Sequence, residues 1–78
     1  MRDEMRGSQI ARAILEYLHD RPAAQDTLTG IVEWWLPQRP VGIPSVKRAL
    51  DELTGRGFVL RHKAKDSRIH YRRNRRKP

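Results

Sequence analysis

A small, mainly α (α+β) domain, three helices followed by a C-terminal β-hairpin, is the fold class predicted by the 78-residue sequence. Three observations carry it. Apolar residues recur at helical spacing in three segments separated by breaks that contain proline. Beyond Gly57 the spacing changes from the helical period to strict alternation. The alternating segment is also where the formal net charge of +8 is concentrated.

The helices follow in order. Residues 1–7 show no apolar periodicity and are read as a flexible N-terminus. Ser8 is placed as the N-cap of the first helix, because a hydroxyl there accepts from an unsatisfied first-turn amide. Ile10, Ala13, Ile14, Tyr17 and Leu18 then form an amphipathic stripe, and Arg12 lies four residues before Glu16 on the outer face. Pro22 ends this element, since the residue before a proline is pushed out of helical conformation. Asp26 or Thr27 caps a second helix with the stripe Leu28, Ile31, Val32 and Trp35. Pro37 stops it, and "PQRPVG" is a loop on composition. Pro44 fits the first turn of a third helix, where its missing N–H costs nothing. Val46, Ala49, Leu50 and Leu53 make its buried face, with Gly55 and Gly57 at the C-cap and exit turn.

In the last segment Phe58, Leu60 and His62 alternate with Val59, Arg61 and Lys63. After the turn-like "AKDS", Ile69 and Tyr71 alternate with Arg68, His70 and Arg72. Placing Leu60 and Tyr71 on one apolar face requires an even-length loop. A three-residue loop would set Leu60 against Arg72 and Val59 against Arg73, and is not expected. The hairpin so read has one apolar face and one basic face, with His62 and His70 on opposite sides. The folded domain is placed at residues 8–73, with residues 74–78 as a basic tail.

Charge narrows the function. Residues 1–56 hold eight Lys/Arg and eight Asp/Glu, which cancel, whereas residues 57–78 hold nine Lys/Arg against Asp66 alone. This asymmetry points to a polyanionic partner gripped by the C-terminal part. The absence of cysteine excludes a disulfide framework and a thiolate metal site, and fits a reducing compartment, most simply the cytoplasm. Charged residues break up the N-terminus, so no signal peptide is expected, and the apolar runs are too short for a membrane span.

Residues 44–73, "PSVKRALDELTGRGFVLRHKAKDSRIHYRR", resemble the recognition helix and wing of the MarR and ArsR groups of winged helix-turn-helix regulators. A helix of the type S/T-V-x-R-x-L-x-x-L running into x-x-G-L/F-V is matched in order by Ser45, Val46, Arg48, Leu50, Leu53, Gly57, Phe58 and Val59. Asp66-Ser67-Arg68 resembles the D-x-R wing of MarR-like proteins, and His70-Tyr71-Arg72 is similar to the last wing strand of ArsR-like ones. The resemblance implies a three-helix winged helix-turn-helix that binds double-stranded DNA. The extra dimerisation helices of MarR-like proteins are not expected in this chain. Nor is metal sensing, because the cysteine motif of ArsR-like sensors is absent.

On that reading Pro44, Ser45, Lys47 and Arg48 enter the major groove. Arg48 is the foremost candidate, its planar fork matching the O6/N7 pair of guanine. The competing reading pairs Lys47 and Arg48 with Asp51 and Glu52 on a solvated helix face. Arg61, Lys63, Lys65, Arg68 and Arg72 of the wing, and Arg73 and Arg75 beyond it, are expected to neutralise phosphates. Trp34 cannot share a narrow face with Trp35. It is expected either to cover the edge of the core or, as an exposed anchor, to hold a homodimer or protein partner. No catalytic constellation, phosphate loop, metal site, cofactor or small-molecule ligand is expected. The expected function is therefore that of a small, cytoplasmic, nucleoid-associated transcriptional regulator of bacterial or phage type. The alternative is a winged-helix assembly module that binds nucleic acid non-specifically.

Overall fold

The structure, a computed structural model, describes residues 7–36 and 41–76. Apart from Gly7, the flexible N-terminus expected over residues 1–7 lies outside the described residues, as do the Pro37 stop, most of the loop after it, and Lys77. Three helices and a three-stranded antiparallel sheet make a mixed α+β arrangement compatible with a winged-helix layout. No helix among the described residues is long and apolar enough to cross a membrane.

Helix α1 spans Gly7–Asp20 and buries Ile10, Ala13, Ile14 and Leu18. It starts before Ser8, which therefore lies within the first turn. A cap needs non-helical backbone, so Ser8 is not the N-cap that its residue type suggested. Tyr17 stays half-buried and stacks on Trp35, ring centroids 4.6 Å apart, with the Arg21 guanidinium 4.7 Å from the Tyr17 ring centroid.

Helix α2 opens as Leu28–Gly30. Thr27 is extended, and its Oγ1 accepts from the Gly30 amide at 3.2 Å. Asp26 accepts from the Thr27 amide at 2.7 Å, so of the two candidate caps Thr27 closes the helix and Asp26 braces it. Gly30 is buried so close to Asp26 that a Cβ there would overlap the carboxylate. From Ile31 to Trp35 the helix widens to π geometry, with the Leu36 amide donating to the Ile31 carbonyl at 3.2 Å. The wider turn lets Trp35 and the following Leu36 both reach the core, and it turns Trp34 outward at 70% exposure. Trp34 thus does not cover the core edge, one of the two expectations for it.

Helix α3 spans Ile43–Gly55, with Gly42 at its N-cap and Pro44 in its first turn. Val46, Ala49, Leu50 and Leu53 are buried as their spacing predicts. At its end the Phe58 amide donates to the Leu53 carbonyl (3.0 Å) and the Gly57 amide to the Thr54 carbonyl (3.1 Å), the paired bonds of a Schellman motif. Gly57 supplies the positive φ of 84° that this exit requires.

The sheet has the order β1-β3-β2, built from Gln25–Asp26, Ile69–Arg73 and Val59–Lys63. Strand β1 was not foreseen, because two residues carry no alternation. The hairpin register differs from expectation: Val59 pairs with Arg73, Leu60 with Arg72, Arg61 with Tyr71, His62 with His70, and Lys63 with Ile69. This is the pairing a three-residue loop produces, and that loop forms. The Ala64 amide donates to the Arg68 carbonyl (2.9 Å) and the Ser67 amide to the Ala64 carbonyl (3.0 Å), closing a tip whose Ser67 takes a φ of 68°. Val59 and Tyr71, not Leu60 and Tyr71, therefore share the inner face. Val59 is fully buried and Tyr71 nearly so, whereas Leu60 is half-buried on the outer face. Arg61 and Arg73 are tolerated opposite these residues because long stems carry their charged heads past the edge of the core.

The same register places His62 and His70 on one face, rings 5.8 Å apart, correcting their expected separation. Among the described residues no group of three His, Cys, Asp or Glu side chains is placed to hold a metal. Asn74, expected to begin the tail, is tied to the domain: its amide donates to the Phe58 carbonyl (3.0 Å) and its side chain to the Gly57 carbonyl (2.8 Å).

Candidate nucleic-acid interface

Lys47 of α3 borders an open groove of about 560 Å³ that also reaches the hairpin. Thr27 and Thr29 of α2, Lys47 of α3, and Arg68, Ile69 and Tyr71 of the hairpin line it. Two residues singled out separately in the sequence, Lys47 and Arg68, are thus brought to one site. Pro44 and Arg48 of the same helix are exposed but do not line it, and Ser45 is half-buried.

Ion pairing separates the cations on α3. Lys47 Nζ lies 3.1 Å from Asp51 Oδ2, as the competing solvated-helix reading expected. Glu52, however, binds Arg56 at 3.1 Å, and Arg48 has no acidic partner among the described residues. Its guanidinium is available to a ligand. Asp51 also forms a looser ion pair with Arg61, Nη1 to Oδ1 at 3.7 Å, and so links the helix to the strand. Sequence reasoning identified Asp51 only as a neighbour of Lys47; its second partner depends on which face Arg61 occupies. Both pairs are solvent-exposed and add little to stability.

The loop tip is pinned by Asp66, whose Oδ1 accepts from the Arg68 amide at 2.9 Å. That backbone hydrogen bond, ahead of the smaller contributions of His70 and the Arg68 charge, holds the Asp66 carboxyl below its ordinary value of 3.8. His70 Nε2 sits 3.5 Å from Asp66 Oδ2, too long for a strong hydrogen bond, and has no other partner among the described residues. The turn thereby presents Lys65 and Arg68 to solvent in a fixed local geometry.

Comparison with protein-family models, curated proteins and solved structures finds no match to this chain.

Not every predicted cation joins the groove. Alternation in the observed register puts Arg61 and Lys63 on the inner side of the hairpin with Tyr71, and Arg72 on the outer side with Leu60, His62 and His70. Arg72, Arg73 and Arg75 gather instead around a different concavity, together with Gln25 and His62. The single basic face expected from the sequence is therefore two surfaces.

Asp51 supplies a direct test of the α3 surface. Asp51→Asn frees Lys47 and Arg61 and removes a charge that repels phosphate. Duplex binding at low salt is expected to tighten by about 3- to 10-fold. Unfolding free energy should stay within about 0.5 kcal/mol. Fluorescence anisotropy with a labelled duplex reads the first and urea denaturation the second; weaker binding would remove α3 from the interface.

Proposed function

We propose that the chain is a winged helix-turn-helix protein that binds double-stranded DNA sequence-specifically, as a small transcriptional regulator. In this reading α3 is the recognition helix, with Pro44, Ser45, Lys47 and Arg48 toward the base edges of the major groove. The hairpin is the wing, with Arg61, Lys63, Lys65 and Arg68 on the phosphates. The observation that carries it is the shared groove of Lys47 and Arg68, with Arg48 exposed on the same helix and without an acidic partner among the described residues.

Arg48→Ala and Arg68→Ala separate reading from gripping. Loss of Arg48 is expected to cost about 1–3 kcal/mol on a selected sequence and to relax preference at one base position. Loss of Arg68 should weaken binding to all duplexes alike. Both are measured on duplexes selected from a random pool. If Arg48→Ala leaves sequence preference intact, the second reading takes over: an assembly module that binds nucleic acid non-specifically. Exposed Trp34 is the observation in favour of that alternative, since tryptophan is a frequent anchor of protein interfaces.

A further inference from the structure

The outer side of the sheet presents a concavity of about 430 Å³ that the proposed α3 surface does not use. Arg72, Arg73 and Arg75 line it together with Pro22, Ala23 and Ala24 of the α1–β1 connection. Arg72 belongs to the outer face, whereas Arg73 pairs with Val59 on the inner face and also borders a second concavity that carries Glu16 and Asp20. None of the three arginines has a carboxylate partner among the described residues, whereas Lys47, Arg61, Arg56 and Arg12 all do. No Asp or Glu lines the concavity. His62 Nε2 and Gln25 Oε1, 3.0 Å apart, complete a polar floor. This surface shares no residue with the groove beside α3, and its Arg72 projects from the opposite face of the hairpin to Tyr71.

The exposed guanidiniums of Arg72 and Arg75, without a carboxylate partner among the described residues and with Arg73 next to them, are a fitting recess for phosphate, which the guanidinium fork binds with two parallel hydrogen bonds. The remaining lining from Pro22, Ala23 and Ala24 is small and uncharged, which leaves room for a backbone to approach and supplies no large side chain of the kind that anchors a protein partner. We infer that the outer face of the sheet is a second phosphate-backbone site, separate from the α3 groove, so that one chain joins two segments of duplex. The second segment is held without base readout, because guanidinium–phosphate contacts carry no sequence information. The inference rests on the proposed function for the first duplex only.

The test uses the whole chain and two random-sequence duplexes, one fixed to beads and one fluorescent in solution. Anisotropy first measures binding to a single duplex; capture of the fluorescent duplex on the beads then measures bridging. The chain is expected to do both. Arg72→Gln/Arg75→Gln, two exposed positions, should lower capture by about tenfold or more, while single-duplex affinity stays within about twofold. Arg72→Lys/Arg75→Lys, which keeps the charge, should restore capture at low salt. Binding without capture overturns the inference and leaves the proposed function standing. Capture that survives the Gln variant also overturns it, since a dimer presenting two α3 surfaces would behave that way. A loss of single-duplex affinity matching that of Arg68→Ala overturns it as well, because all the arginines would then serve one interface. Failure to bind any duplex defeats both readings.

Discussion

Replacing Leu50 by alanine is expected to lower the unfolding free energy by about 3 kcal/mol. Leu50 is fully buried on α3, where it joins Val46, Ala49 and Leu53 in the core shared with Ile10, Ile14 and Leu18 of α1. The cost combines lost transfer free energy with the cavity left among side chains that relax only in part. In a domain of this size the total stability is thin, so the change removes a large share of it. The melting temperature should fall by roughly 12–20 °C. Leu60→Ala is the internal comparison, because Leu60 would be a core residue in the register read from sequence and is half-buried on the outer face in the structure. It is expected to cost less than about 1 kcal/mol. Urea denaturation of the two variants decides the register: equal losses would restore the even-length loop.

Duplex binding is expected to weaken by about 500-fold between 50 and 200 mM salt, from a slope of log K against log[salt] near −4.5. That slope corresponds to about five neutralised phosphates. Lys47 and Arg68 line the groove, Arg61 and Lys63 share the hairpin face of Tyr71, and Lys65 is exposed at the tip, which makes five candidate cations. Arg68→Ala should flatten the slope by about one, since each phosphate contact releases its own counterion. Anisotropy titrations at four salt concentrations measure it, and a slope near zero would be incompatible with the phosphate role given to the hairpin.

The stripes of α1 and α3 are legible in the sequence because apolar residues three and four apart can meet on one side of a helix and nowhere else. Gly57 is equally legible: a helix exit with positive φ favours the residue that lacks a Cβ. Within the candidate interface, Lys47 and Arg48 follow from the α3 stripe, since Val46, Ala49 and Leu50 leave them only the outer face. The widening of α2 is not legible, because the same apolar residues suit an ordinary helix. Only packing against α1 and α3 rewards burying Trp35 and Leu36 together.

The hairpin marks the boundary between the two kinds of information. Alternation in Val59–Arg73 by itself establishes that a basic two-stranded element follows the helices. It does not establish parity, because Phe58, Val59 and Leu60 are three apolar residues in a row and either register buries one of them. The exit turn of α3 settles the choice. With the Phe58 amide bound to the Leu53 carbonyl, the next side chain to meet the core is that of Val59. A one-residue slip sends every side chain of a strand to the other face, so this one choice reaches the whole surface. It joins Arg61 to Asp51 of α3, sends Arg72 to the opposite side, and sets His62 against His70. Residue types and their spacing determined the elements and the sign of the charge; the packing of Val59 under α3 decided which way that charge points.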